Sequence, residues 1–327
     1  MSKHFPINLC FFIVLLLLFS AVAVFSEQGF LKANNTIQQQ VFWHYYLAVI
    51  VAAVIVGAIL GLTGAILQVL LKNPLADAGV LGISSGSQFI GLLLSFFLQA
   101  FGFTAFSFVS FYIACVLGAL LVLVVFLVIL LTQNQLENIA IIILVGVGLA
   151  AIFSALTTLL MSFSNHEILS QIIIWQFGGF SSVSWLQNFL LGIVGIIFCI
   201  FAYCKASLFD MFSLGEKEAN LMGVNIKALF CSLMVLMALL IATTVAIAGP
   251  IGFVGLVSPH ISRLLLKVNN MVYLMTLSMS IGAIIMLAAT YCSLNIAYPI
   301  IIPVGIITAL IGALFLIGLV IRQLSLN

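Results

Sequence analysis

The chain has 327 residues, of which 65% are hydrophobic and only 5% charged, with a formal net charge of +2. Soluble domains carry about 25% charged residues, so a water-soluble fold is excluded, and so weak a charge offers no footing for nucleic acid. Mean hydropathy is +1.42, which places the chain in lipid. Backbone groups in hydrocarbon must be satisfied within the protein, leaving helices or a closed barrel. Continuously apolar stretches such as Cys115–Leu131 lack the alternation of barrel strands. An all-α polytopic membrane protein is expected.

At roughly 20 apolar residues per crossing, the chain has room for about ten spans. In chain order they fall at 7–25, 45–71, 80–100, 106–132, 138–162, 186–204, 226–248, a short 251–266, 271–291 and 303–322. They form a single transmembrane domain over 1–327, with one long polar cytoplasmic segment at 205–227. With both termini in the cytoplasm, Lys3, Lys72, Lys205, Lys217, Lys227, Arg263, Lys267 and Arg322 all lie inside, and only Lys32 lies outside. That is a strong positive-inside bias. Ala21-Val22-Ala23 resembles a signal cleavage site, but the preceding apolar run exceeds the usual core of about 7–15 residues. A retained first span is expected.

The spans contain almost nothing that could do chemistry. No GxxxxGK[ST] phosphate loop is present, so ATP is not hydrolysed by that route and the chain is not expected to be an enzyme. Residues 78–136, 138–166, 168–204, 228–262 and 268–321 hold no Asp, Glu, Lys or Arg. Ion-coupled carriers place such groups inside their spans. A secondary transporter is therefore the weaker alternative, and another subunit is expected to supply the energy. His260 is the one histidine within a span and reads as a packing residue. The 6 cysteines form no CxxC pair and no metal-ligand spacing, so neither a metal nor a disulfide is expected.

Two Gly/Pro-rich blocks stand out. In the second span Ala53, Gly57, Gly61 and Ala65 recur at four-residue spacing, with Gly64 beside them. Such small residues let helix backbones approach closely. Gln68, one turn on, is too polar for lipid and should bond a neighbouring helix or face an aqueous path. Lys72-Asn73-Pro74 must stop the helix, because the residue before proline is pushed out of helical geometry. Leu75-Ala76-Asp77 continues a compact turn, and the hydroxyls of Ser84 to Ser87 are placed to cap the next span. In the second block Gly249-Pro250 ends a span and Pro259 kinks or shortens the slim helix that follows. The segment Leu214–Val224 reads as short amphipathic elements, with Gly223 placed to end one of them. On pattern alone it is an interfacial helix or a groove-binding one.

These blocks resemble the iron-siderophore, haem and vitamin B12 permease family, the membrane subunits of type II ATP-binding-cassette (ABC) importers. The resemblance rests on GAILGLTGAILQVLLKNPLADAGVLGISSGS (57–87), WQFGGFSSVSW (175–185), LGEKEANLMGV (214–224), AGPIGFVGLVSPHISRLL (248–265) and PVGIITALIGALFLIGL (303–319), in order. It implies the type II importer permease fold, a second permease subunit in a homo- or heterodimer, and a path at their interface. Cytoplasmic ATPases that bind ATP and Mg would attach below, and an extracytoplasmic binding protein would dock above. No cofactor is expected in this chain itself.

The resemblance makes Leu214, Gly215, Glu216, Ala219, Gly223 and Val224 the expected ATPase-coupling residues. Asn73 and Leu75, with Gln68, become the expected cytoplasmic gate and path residues. Trp175, Gly178 and Gly179 match an outer segment near the path entrance. The chain departs from the family at its outer face. An expected Arg-x-Pro-Arg is Tyr46-Leu47-Ala48-Val49, an Asp/Arg pair is Thr290 and Leu294, and a Glu is Ile301. Either docking of a binding protein relies on other contacts, such as Lys32, His44, Tyr45 and Tyr46, or this chain is one half of a heterodimer. The expected function is inward movement of an iron-siderophore or similar metal chelate, haem or cobalamin across a bacterial inner membrane, with an oxyanion as the alternative cargo.

Overall fold

The computed structural model describes residues 42–100, 108–133, 139–164, 166–180, 183–266, 270–298 and 300–324. The expected first span at 7–25 and the docking residue Lys32 lie outside these. Among the described residues there is no strand; after a π-helical turn at Phe42–Tyr46 the chain is a succession of α-helices. They are α1 (Leu47–Leu70), α2 (Ile83–Ala100), α3 (Phe108–Gln133), α4 (Ile139–Ser162), α5 (His166–Gln176) and α6 (Trp185–Cys204). Then come α7 (Ala206–Leu214), α8 (Glu216–Leu221), α9 (Ile226–Ala248), α10 (Val254–Leu265), α11 (Met271–Asn295) and α12 (Val304–Leu324). Among the described residues 6 helices are long and apolar enough to cross a membrane, and Ile83–Leu98 and Val304–Leu319 are shorter apolar helices.

The helices fall into two compact units. One contains α1 up to Ile66, the segment Gly178–Ile193 and the chain from Ile251 onward. Here the small-residue stripe of α1 does what its spacing predicts. Gly57 lies against Gly282 and Ala283 of α11, Gly61 against Ser278, and Gly64 against Gly255 of α10. Each contact is backbone to backbone, the close approach that replaces hydrophobic packing in lipid. Pro259 stands inside α10 and removes the N–H that would have bonded the Gly255 carbonyl. That same carbonyl faces Gly64, so the proline and the glycine serve one contact.

Several polar side chains in this unit are paired inside it. Ser278 donates to Ser262 at 3.1 Å, and Thr290 donates to the Met286 carbonyl at 2.8 Å. The His260 ring meets Phe315 edge-on at 5.5 Å, which fits the packing role expected of it. Two long-range bonds fix the start of α6: Trp185 Nε1 donates to the Trp43 carbonyl at 3.1 Å, and Asn188 Nδ2 to the Ala48 carbonyl at 2.8 Å.

The other unit comprises Leu67–Phe177 and Val194–Pro250. Gly86 of α2 lies against Gly118 of α3, and Gly91 against Cys115 and Phe111. A core of Phe111, Cys115 and Ala246 forms there, with Tyr112 and Trp175 packed on it. Tyr112 Oη and Thr243 Oγ1 are 3.1 Å apart, joining α3 to α9.

Three local expectations are corrected. The second apolar helix starts at Ile83, so Ser84 and Ser85 sit inside its first turn rather than capping it; Gly82, at φ +73°, makes the entry. Helix α10 has 12 residues and is about 18 Å long, shorter than the expected 251–266. Helix α11 continues to Asn295, and near its end Ser293 donates to the Ile302 carbonyl.

Candidate functional site

The sequence-expected gate and coupling residues fall in the second unit and are built from two helix ends of the same kind. At the end of α1 the Lys72 N–H donates to the Val69 carbonyl at 3.2 Å, and the Asn73 N–H to the Gln68 carbonyl at 3.1 Å. At the end of α8 the Gly223 N–H donates to the Asn220 carbonyl and the Val224 N–H to the Ala219 carbonyl, both at 3.0 Å. Both are Schellman caps, whose penultimate residue must adopt left-handed geometry. Gly223 does so at φ +84° without a Cβ penalty, whereas Lys72 does so at φ +43°. A side chain in that conformation costs about 1–2 kcal/mol.

The Lys72 side chain has a partner in α7. Its ammonium stands 5.0 Å from the centroid of the Phe212 ring in α7, within cation–π range. Phe212 itself is buried. The Gly215 N–H then bonds the Phe212 carbonyl at 3.2 Å, turning the chain from α7 into α8.

Past Lys72 the turn is held at both ends and open in the middle. The Asn73 side-chain oxygen accepts the Leu75 N–H at 2.9 Å, an Asx-turn that fixes the Pro74 corner. Leu75 is 53% exposed, large and apolar, while Gln68 is only 3% exposed. At the far end Gly82 lies against Gly146 and Ala150 of α4, and Leu81 is fully buried.

The coupling candidates divide by burial. Ala219 is fully buried and Val224 nearly so, which supplies the apolar contact that accompanies such a cap. Beside them Leu221 is 88% and Met222 55% exposed, a large apolar surface on a short element. Gly215 adopts φ +141°, which disfavours any side chain there, and is overlain by the Glu218 carboxylate. Leu214 and Glu216 occupy the last position of α7 and the first of α8. Asn225 caps the next helix by accepting the Ala228 N–H at 3.0 Å, which fixes where α9 leaves the segment.

The described docking candidates belong to the first unit. His44, Tyr45 and Tyr46 lie in the π-helical turn before α1, the two tyrosine rings edge-to-face at 5.3 Å. Among the family departures, Thr290 is buried in α11, whereas Ile301 is 49% exposed. Lys72 paired with Phe212 and Trp185 paired with the Trp43 carbonyl were not expected from the sequence. The first left one signal: a lysine directly before Asn-Pro, where a helix-ending cap ordinarily takes glycine. Among the described residues no group of three or more His, Cys, Asp or Glu could hold a metal ion.

Among the described residues the chain is all-helical, with backbone-close glycine contacts and helices broken at two Gly/Pro blocks, and its fold is that of a type II ABC importer permease. The chain belongs to the FecCD transport family, whose model matches residues 7–322. It is 35% identical over 292 residues to a vitamin B12 import system permease protein of Vibrio cholerae, covering 89% of this chain and 86% of that one. It is 30% identical over 295 residues to a hemin transport system permease protein of Yersinia pestis, covering 88% and 86%. A molybdate import system permease protein of Haemophilus influenzae is 35% identical over 281 residues, covering 85% and 80%. A solved structure described as an inward-facing conformation of a metal-chelate type ABC transporter superposes with a TM-score of 0.85 at 30% identity. The match covers 97% of this chain and 99% of that one.

Proposed function

We propose that this chain is the membrane-spanning subunit of an ATP-driven importer in a bacterial cytoplasmic membrane. It carries a metal chelate inward: an iron-siderophore, haem or a corrinoid. Two permease subunits enclose the path, cytoplasmic ATPases engage residues 214–224, and an extracytoplasmic binding protein delivers cargo. The observation that carries the reading is the coupling segment itself. Leu221 and Met222 are exposed at the end of a short helix, while Ala219 within it and Val224 just past it are buried. An apolar surface presented by a short, capped helix suits a groove on a partner protein. Relatives that import vitamin B12 and hemin, at 35% and 30% identity, support the cargo class.

A second cargo, an oxyanion such as molybdate, is favoured by the relative from Haemophilus influenzae at 35% identity. Spans almost free of fixed charge suit either cargo, because a path lacking strong ligands also lacks deep traps. The test is uptake into proteoliposomes holding the permease, its ATPase and its binding protein. Ferric siderophore, haemin, cyanocobalamin and molybdate serve as labelled probes. Uptake of a chelate that needs ATP and the ATPase subunit is expected. Uptake that persists without the ATPase would overturn the assignment, and uptake of molybdate alone would replace the cargo.

A further inference from the structure

We propose that Lys72 is a positioning residue that ties the Asn73–Leu75 turn to the coupling segment, so that motion imposed on α8 reaches the turn through α7. The inference rests on the reading above, that residues 214–224 receive an ATPase and that Asn73 and Leu75 gate the path. It concerns a residue that this reading does not use.

Three observations converge on Lys72. The first is its backbone, in left-handed geometry at φ +43°, in a cap whose counterpart at the end of α8 uses Gly223. Glycine would make the same turn without a Cβ, so the fold tolerates strain to keep a side chain here. The second is where that side chain goes. The ammonium lies 5.0 Å over the Phe212 ring, and Phe212 is buried in α7, three residues before Gly215.

The third is the geometry around the contact. The Asn73 side chain holds the Leu75 N–H at 2.9 Å, so a displacement of Lys72 is delivered to Leu75 through two consecutive residues. At the other end the Gly215 N–H bonds the Phe212 carbonyl, so a rotation of α8 about Gly215 moves the ring. Gly82, packed against α4, anchors the far end of the turn, and the Leu75 side chain between the two anchors is 53% exposed. A cation on a ring face suits such a link. It is attractive over a range of positions and requires no single hydrogen-bond angle.

The test uses the complete complex of permease and ATPase in lipid nanodiscs, with Leu75→Cys as reporter and a fluorescent maleimide as probe. Labelling of the parent chain without that cysteine is subtracted. Rates are compared between the nucleotide-free complex and the complex trapped with Mg·ATP and orthovanadate. With Lys72 present, trapping is expected to change the labelling rate about tenfold, within the usual range of coupling between sites. Lys72→Gly, which relieves the strained backbone, should shrink that change to less than about twofold while ATPase turnover is retained. Phe212→Leu should do the same, and Lys72→Arg should preserve the change, because guanidinium also stacks on a ring.

A merely structural lysine would move yield or thermal midpoint, not the trapping-dependent ratio. The proposal is overturned if Lys72→Gly keeps the full change, or if Lys72→Arg loses it as glycine does. If the complex with Lys72 intact shows no change on trapping, the gate-and-coupling reading fails and this inference goes with it. A failure confined to the variants sinks the inference alone.

Discussion

Replacing Gly64 with alanine should destabilise the chain strongly for a single methyl group. Gly64 lies against the Gly255 carbonyl, carbonyl carbon and Cα, all of them backbone atoms of α10. No side chain there can rotate out of the way, so the two backbones must part by about 1.5 Å to restore ordinary contact. Separation is resisted along α1, because Gly57 and Gly61 lie equally close to α11. Overpacking of this kind costs about 1–3 kcal/mol, and the rigid neighbours place Gly64→Ala in the upper half of that range. Helix propensity offers little compensation, since a chain unfolded in detergent keeps much of its helix. The control is Gly148→Ala in α4, where an added methyl meets nothing within 4 Å. That variant should stay within about 0.5 kcal/mol of the parent. Unfolding in dodecyl sulfate, followed by tryptophan fluorescence in detergent, measures both. Equal stability of the two variants would refute the account of α1 as a backbone-contact helix.

Ala219→Phe should abolish recovery of the ATPase with the affinity-purified permease, because Ala219 is fully buried and its cap cannot close around a ring. Membrane levels of the permease itself, read by immunoblot, should stay near the parent's. Trp185→Phe keeps the ring but loses the 3.1 Å bond to the Trp43 carbonyl, and should lower stability by about 0.5–1.5 kcal/mol. Tyr112→Phe and Thr243→Val remove the two sides of one 3.1 Å hydrogen bond. A double-mutant cycle on them should therefore show a coupling of at least about 0.5 kcal/mol; additive effects would mean the bond contributes nothing.

What was legible in the sequence was whatever depends on local spacing. Small residues at every fourth position of α1 announced a backbone-contact face, and the structure puts Gly57, Gly61 and Gly64 against backbone atoms. Asn-Pro after Lys72 announced a helix end, and the end is there. What the spacing did not contain was the partner of each face. Nothing local says that Gly64 meets Gly255 or that the indole of Trp185 reaches the Trp43 carbonyl. The hydroxyls of Ser84 and Ser85 were misread for a related reason. Serine before an apolar run is a capping signal only where the chain turns in at that residue, and here Gly82 turns it in first.

Lys72 shows the same boundary from the other side. In the sequence it is one more cytoplasmic cation, counted toward orientation and placed at a helix end. Its position matters only once the cap is seen to need left-handed backbone, because then the absence of glycine requires a cause. Gly223 supplies the comparison: the same hydrogen-bond pattern closes α8 with a residue that has no side chain to place. A fold that uses glycine at one such end and lysine at the other has spent conformational strain to put an ammonium over Phe212. Strain of that size persists where the surroundings hold it, and it collects at segments that have to move. The turn bearing Leu75 and the helix leading to Gly215 are joined at that contact, and transport coupled to ATP hydrolysis would need some such joint.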